Sequence, residues 1–203
     1  MRSSKTHWFV LAACFLLCAA GASAETPGYE RYWTTVGSAG TLDEDSDGKV
    51  FFNHAVVQKG VMPEIGKARR QLRSDEEVEG TDSAVIRYNV TAVDGLFGGP
   101  DVVMTIRFRD EGKSARVEAR LIEVDLDTGA EVTRLTFDSN AGVPEESGYY
   151  VYEVFDCLGR GDEAFDFTRK AYYIDATLTT SSLVVESVAG IEIIQVRATT
   201  CDI

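Results

Sequence analysis

Histidine is nearly missing from this 203-residue chain. There are two, His7 and His54, and only His54 lies outside the apolar N-terminal stretch. A Ser-His-Asp triad would have to use that one imidazole as its base. It falls inside Val50–Val57, which reads as a strand with Phe52, His54 and Val56 on one face, so a structural histidine is expected there. A nucleophile elbow of the Gly-x-Ser-x-Gly type is absent, since Gly37-Ser38-Ala39-Gly40 is one residue short of it. Glycine-rich phosphate cradles of the Walker or dinucleotide kind are absent too, which removes the usual nucleotide-dependent enzymes. Cysteine and histidine are too few to assemble a recognisable structural zinc cluster. Basic charge is also short, at 20 Lys and Arg against 33 Asp and Glu, a net charge of −13. A surface of that sign repels phosphate backbones, so nucleic acid is not an expected partner. There is no fixed-period repeat, and no long helical stripe.

What is present begins with an export leader. Arg2 and Lys5 precede an unbroken apolar run from Trp8 to Ala20, and Ala22-Ser23-Ala24 offers the small-x-small pattern that signal peptidase recognises. The run is shorter than the roughly 20 residues that a spanning helix needs. Residues 1–24 are therefore read as a cleaved signal peptide, and 25–203 as one domain without a transmembrane segment. The alternatives are an uncleaved anchor, or lipidation at Cys14 within Leu11-Ala12-Ala13-Cys14. Cleavage removes two basic residues and no acidic ones, so the charge goes from −13 to −15 over the remaining 179 residues. It also removes Cys14 and Cys18, leaving Cys157 and Cys201. An even pair in an exported protein predicts a disulfide between them, and two buried free thiols are the alternative. The expected location is secreted or periplasmic, at the cell envelope.

The body of the chain alternates apolar and polar residues with period two. Ile86, Tyr88, Val90 and Ala92 share one face of their segment against Arg87, Asn89 and Thr91. Val102, Met104, Ile106 and Phe108 oppose Thr105, Arg107 and Arg109 in the same way. Such segments are strands with one wet face. In Arg116–Leu126 the apolar phase runs Val117, Ala119, Leu121 and then slips to Ile122, Val124, Leu126, which predicts a β-bulge. Asp127-Thr128-Gly129 predicts a tight hairpin, and Asp138-Ser139-Asn140-Ala141-Gly142 a further turn. With Val50–Val57, Tyr149–Cys157, Ala171–Thr179, Leu183–Val188 and Ile191–Ala198, the count is about nine strands. The fold class is all-β, a mainly antiparallel β-sandwich of jelly-roll or Ig-like kind, with a small closed β-barrel as the alternative. An outer-membrane barrel would also fit length and alternation, but Cys201-Asp202-Ile203 is a non-aromatic ending and a disulfide is expected. Residues 60–80 break the pattern. Lys67, Arg69, Arg70 and Arg73 are followed by Asp75, Glu76, Glu77 and Glu79, which reads as a charged loop or a short helix.

Two groups of residues are candidates for binding. Asp43, Asp45 and Asp47, followed by Gly48, alternate carboxylates around a turn and could wrap Ca2+, with the Lys49 carbonyl assisting. The position an EF-hand reserves for its bidentate Glu is His54, and strand follows from Val50, so this is not an EF-hand. A metal-free acidic turn is the alternative, and otherwise no cofactor is expected. Ser46-Asp47-Gly48-Lys49 spells Ser-x-x-Lys on a turn, without the helix start which that motif requires. The second group is aromatic. Tyr149, Tyr150, Tyr152, Phe155, Phe165, Phe167, Tyr172 and Tyr173 fall within 25 positions. Neighbouring tyrosines on a strand point to opposite faces, so one of Tyr149/Tyr150 and one of Tyr172/Tyr173 is expected outside. Outward tyrosines can stack on sugars or clamp a peptide, and ordinary packing is the alternative. Asp156, Asp162, Glu163 and Asp166 lie nearby, and a pair of carboxylates at the right separation hydrolyses glycosides. Asn89-Val90-Thr91 is a glycosylation sequon by letters, in mid-strand.

Ile86-Arg87-Tyr88-Asn89-Val90, Arg107-Phe108-Arg109-Asp110, Leu121 through Gly129, Leu135-Thr136-Phe137-Asp138-Ser139-Asn140, and Asp166-Phe167 with Ala171-Tyr172-Tyr173 resemble stretches of uncharacterised exported bacterial proteins rich in β-structure. The resemblance covers the middle and later part of the chain. It implies a secreted β protein and brings no activity, cofactor or binding residue with it. The sequence therefore points to an exported, non-enzymatic binding or structural module whose partner is a glycan or a protein. A carboxylate-dependent glycan hydrolase is the alternative.

Overall fold

The computed structural model describes residues 32–60, 81–93, 96, 99–111, 115–141, 149–157, 164–181 and 188–201. Eleven strands lie among them: β1 (Trp33–Val36), β2 (Thr41–Leu42), β3 (Phe51–Asn53), β4 (Val56–Gly60), β5 (Thr81–Val90), β6 (Asp101–Glu111), β7 (Arg116–Asp125), β8 (Glu131–Asp138), β9 (Tyr149–Asp156), β10 (Lys170–Ser181) and β11 (Val188–Thr199). One sheet has the order β3-β4-β11-β6-β9, with β1 also on β11, and the other the order β2-β5-β10-β7-β8. Every ladder is antiparallel. Both sheets are open at their edges, so the molecule is a sandwich and not a closed barrel.

The last eight strands pair first with last. β4 meets β11, β5 meets β10, β6 meets β9 and β7 meets β8. This is one long hairpin folded over on itself, with successive pairs in alternate sheets, and it gives a jelly roll. The inward residues of the alternating segments form its core: Ile86, Tyr88, Met104, Ile106, Phe108, Leu121, Phe137, Ile174, Leu178, Ile191 and Ile194 are fully or almost fully buried. Phe108 and Phe137, from opposite sheets, pack with ring centroids 4.8 Å apart. Close backbone approach seals the N-terminal side. A Cβ at Gly37 would lie 2.0 Å from the Ile191 carbonyl oxygen, and the Tyr88 hydroxyl donates to the Gly37 carbonyl at 2.8 Å. The disulfide joins Cys157 to Cys201, tying the end of β9 to the chain just after β11. The Cys201 amide also donates to Asp101 Oδ2 at 2.8 Å, which fixes that end to the start of β6.

Several expectations change in detail. The strand count is eleven, because β1 and β2 are short and the expected strand Val50–Val57 is a hairpin of β3 and β4. His54 is at its turn, exposed, with φ +53. Histidine and asparagine tolerate the left-handed region better than most residues, which lets Asn53-His54 reverse a run that looks apolar. The Ser38 hydroxyl donates to the His54 carbonyl at 2.6 Å and holds the turn. His54 is therefore not packed on a strand face. The Asp127-Thr128-Gly129 hairpin forms, with Gly129 at φ +71, and the Asp125 carboxylate accepts from the Asp127 and Thr128 amides.

The phase slip near Leu121 also has a different origin. β7 keeps an unbroken register against β10. The irregularity lies in β8, where Leu121 faces Leu135 but Ile122 faces Thr133, so Arg134 is the extra residue. Ile122 stays on the outer side of β7, and Glu123 turns in. Glu123 is buried because Arg134 Nη1 donates to it at 2.7 Å and Lys170 Nζ at 2.6 Å, while Arg134 Nε reaches Asp156 Oδ2 at 3.3 Å on the other sheet. An apolar period fails here because an ionic cluster, and not a greasy side chain, fills the end of the sandwich. Of the 60–80 segment, residues 61–80 lie outside the described residues, as do residues 183–187 of the expected strand Leu183–Val188.

The ionic cluster and the disulfide each set a measurable stability. Burial opposes the charged form of Glu123, but the hydrogen bonds from Lys170 and Arg134 prevail and hold its pKa below the ordinary 4.5. A depressed carboxyl pKa stabilises the fold above the unfolded value, and that gain fades as pH falls through the folded value. Arg134→Leu leaves buried Asp156 without its cation and Glu123 with Lys170 alone, and should cost about 3–5 kcal/mol at pH 7. The gap between variant and parent in chemical denaturation should shrink as pH falls below 4.5. Separately, the disulfide closes a 44-residue separation, and replacing both cysteines with serine should cost about 4 kcal/mol. Emission from buried Trp33 reports both unfolding curves.

Candidate functional site

The jelly roll separates the tyrosines that lie close in sequence. Tyr149 is on the outer face of the six-stranded sheet, with Arg107 Cζ 5.7 Å from its ring centroid. Tyr150 and Tyr152 turn toward the space between the sheets and pack on Phe108 and Phe137. Tyr172 is buried, its ring edge-on to Phe165 at 5.0 Å, and its hydroxyl accepts from the Asp166 amide at 2.9 Å. Tyr173 stands on the outer face of the five-stranded sheet. Tyr149 and Tyr173 thus face solvent on opposite sides of the molecule, and these five rings do not share one groove.

The acidic candidates are also distributed. Asp43, Asp45 and Asp47 are all exposed around the short 3-10 turn Glu44–Ser46. Among the described residues no group of three His, Cys, Asp or Glu side chains is placed to hold a metal ion. Ser46 is structural, because its buried hydroxyl accepts from the Val85 amide at 2.7 Å and docks this turn on β5. Asp156 is engaged by Arg134, and Asp166 Oδ1 accepts from the Thr168 amide and hydroxyl. Asp162 and Glu163 lie outside the described residues.

Residues that the one-dimensional pattern showed only as a wet face converge around Tyr173. Across the five-stranded sheet the ladders align Thr41, Arg87, Asp175, Arg120 and Thr136 in one row. The next row holds Asn89, Tyr173, Ile122 and Thr133. Arg87 grips Asp175 with two parallel hydrogen bonds, Nε to Oδ1 at 2.8 Å and Nη2 to Oδ2 at 3.1 Å. Its guanidinium carbon then lies 4.3 Å from the centroid of the Tyr173 ring. The Tyr173 hydroxyl donates to Glu131 Oε1 at 3.0 Å, so the ring is held at its face and at its tip. Beside it opens a shallow cleft of about 320 Å³ lined by Thr41, Asp43, Val85, Arg87, Asn89 and Asp175.

The electrostatics are those of a fixed polar surface. The Asp175 hydrogen bonds hold the Arg87 guanidinium more firmly protonated than usual. Burial, then the hydrogen bond and charge of Glu131, push the Tyr173 phenol above its ordinary 10.0. Each described carboxylate with a displaced pKa moves downward: Asp82, Glu123, Asp125, Asp138 and Asp166. A carboxyl acting as general acid toward a glycoside needs the opposite displacement. The arrangement therefore presents oriented donors and acceptors beside a clamped ring, which is what a shallow binding surface for a polar ligand requires.

Sequence reasoning missed Arg87, Asn89 and Asp175. Their only signal was position: alternate residues of two segments whose pairing is settled by tertiary structure. A chemical-shift titration of labelled tyrosines checks the clamp. Tyr173 should ionise above 10.0, and Glu131→Gln should lower its midpoint.

No family model matches this chain, and no curated protein does. Among solved structures, it is similar to the CBM36-1 domain of a multidomain xylanase from the hindgut metagenome of Trinervitermes trinervoides, at 13% identity and a TM-score of 0.42, covering 84% of this chain and 100% of that one. It is also similar to CBM29_1, a family 29 carbohydrate binding module from Piromyces equi, at 12% identity and a TM-score of 0.36, covering 86% and 94%. TmCBM61 in complex with beta-1,4-galactotriose aligns at 7% identity and a TM-score of 0.37, over 83% and 88%. At that level of likeness these structures carry no weight for what this chain binds.

Proposed function

We propose that this chain is an exported, non-enzymatic binding module, and that a glycan lies across the outer face of its five-stranded sheet at Tyr173. The observation that carries this reading is the clamp itself. A tyrosine fixed by Arg87 and Glu131 loses little freedom on binding, and a paired Arg–Asp couple offers directed hydrogen bonds beside it. Sugars need that combination, because their hydroxyls demand directed partners while their C–H faces favour an aromatic neighbour. The alternate strand positions supply both on one flat surface. Export is supported by the leader at residues 1–24 and by the Cys157–Cys201 bridge, which persists in oxidising compartments.

The test is a calorimetric titration of the processed protein against a panel of soluble neutral and acidic polysaccharides, with reducing-end assays run in parallel. At least one should bind and none should be cleaved. Tyr173→Ala and Arg87→Ala should each weaken binding about tenfold or more. Tyr149→Ala, on the opposite outer face, should leave it unchanged. A flat titration across the panel, or release of reducing ends abolished by a carboxylate substitution, overturns the proposal.

A further inference from the structure

Sheet edges expose unpaired backbone groups, and soluble β proteins blunt them. Most edges here are blunted. β2 has two residues, β3 three and β1 four. β8 is longer, but it carries the Arg134 bulge and the charges of Glu131, Arg134 and Asp138. β9 has none of these devices. It is eight residues long, pairs among the described residues only with β6, and does so in unbroken register from Val102↔Asp156 to Arg109↔Tyr149. It has no proline and no basic residue, and Glu153 is its one charge before the buried Asp156. Its large apolar side chains are in solvent: Val151 is 62% exposed, Phe155 53%, Tyr152 41% and Tyr149 38%.

The geometry points to β9 as the interface of a symmetric dimer, in which β9 of a second copy adds antiparallel and continues the six-stranded sheet. Antiparallel strands keep their faces aligned only when paired positions have the same parity. A two-fold axis on Tyr152 satisfies that. It sets Tyr149 against Phe155 of the second copy, Tyr150 against Val154, Val151 against Glu153, and Tyr152 against its own equivalent. A two-fold on Glu153 would set like charges opposite each other, and one on Val151 would engage a shorter part of the strand. The Tyr152 axis thus gives the longest register in which no carboxylates face directly. It also brings Glu153 of the second copy beside Val151 on the outer face, where Arg107 of β6, paired with Glu192, lies on the other flank of that residue. The pairing is isologous and uses up the open edge, so assembly stops at two. The net charge of −13 opposes association at long range, so added salt should strengthen the dimer.

Sedimentation velocity of the processed protein at about 100 µM should show a dimer that tightens with salt. Val151→Glu, which sets a second carboxylate against Glu153 of the other copy, and Phe155→Lys, both on exposed outer positions, should each weaken it about tenfold, since each substitution occurs twice across the axis. Their circular dichroism should stay that of the parent. Paired positions of neighbouring strands lie about 4.5–5.5 Å apart at Cα, within disulfide reach. Tyr152→Cys should therefore oxidise to a covalent dimer, whereas Val132→Cys on β8 should not. A monomer at that concentration in high salt, a dimer indifferent to both Val151→Glu and Phe155→Lys, or cross-linking at Val132→Cys but not at Tyr152→Cys overturns the inference.

Discussion

The pairing of β10 with both β5 and β7 is the constraint on which most of this molecule depends. Those two ladders run without a register shift over ten positions each. A slip of one residue would send Tyr172, Ile174, Ala176 and Leu178 out to solvent and bring Tyr173 and Asp175 into the core. Burial of the first set therefore fixes the second. Arg87 meets Asp175 because Ala176 must meet Ile86 and Ala119, and the Tyr173 surface is the outward consequence of an inward packing requirement.

The same logic governs the ends of the sandwich. Where the sheets cannot be filled by apolar side chains, the Lys170–Glu123–Arg134–Asp156 cluster spans them, and a one-residue bulge in β8 brings Arg134 inward. Buried ions of this kind are weak contributors to stability and strong penalties against breakage. They define which strand ends meet, and the Cys157–Cys201 bridge holds the neighbouring chain ends covalently. The proposed binding face and the proposed dimer edge then fall on different surfaces. The clamped tyrosine belongs to a sheet face on which Arg87 pairs with Asp175, whereas β9 is an edge that leaves Val151 and Phe155 exposed.

Much of this was legible in the order of residues, and the reasons differ by region. Alternation in Ile86–Val90 and Val102–Phe108 was readable because each strand buries a single face. Asp127-Thr128-Gly129 was readable because a tight turn demands a left-handed residue where Gly129 stands. The Cys157–Cys201 pair was readable because the other two cysteines, Cys14 and Cys18, fall in the apolar N-terminal stretch. Val50–Val57 misled because its letters are apolar on both sides of a reversal that Asn53 and His54 permit. Leu121–Leu126 misled because the bulge belonged to the partner strand, which a single segment cannot reveal.

By itself the sequence determined the class of fold, the buried faces of β5 and β6, the tight hairpin after β7 and the identity of the disulfide. Each of these follows from local periodicity, turn chemistry or elimination among few cysteines. Only tertiary structure decided that eight strands pair first with last, that Tyr149 and Tyr173 look in opposite directions, and that Arg87, Asn89 and Asp175 gather beside Tyr173. Residues 87 and 175 are far apart along the chain, and nothing short-range couples them. They become neighbours because two pleated layers must close over one core, and a one-residue slip of β5 on β10 would turn their polar groups inside.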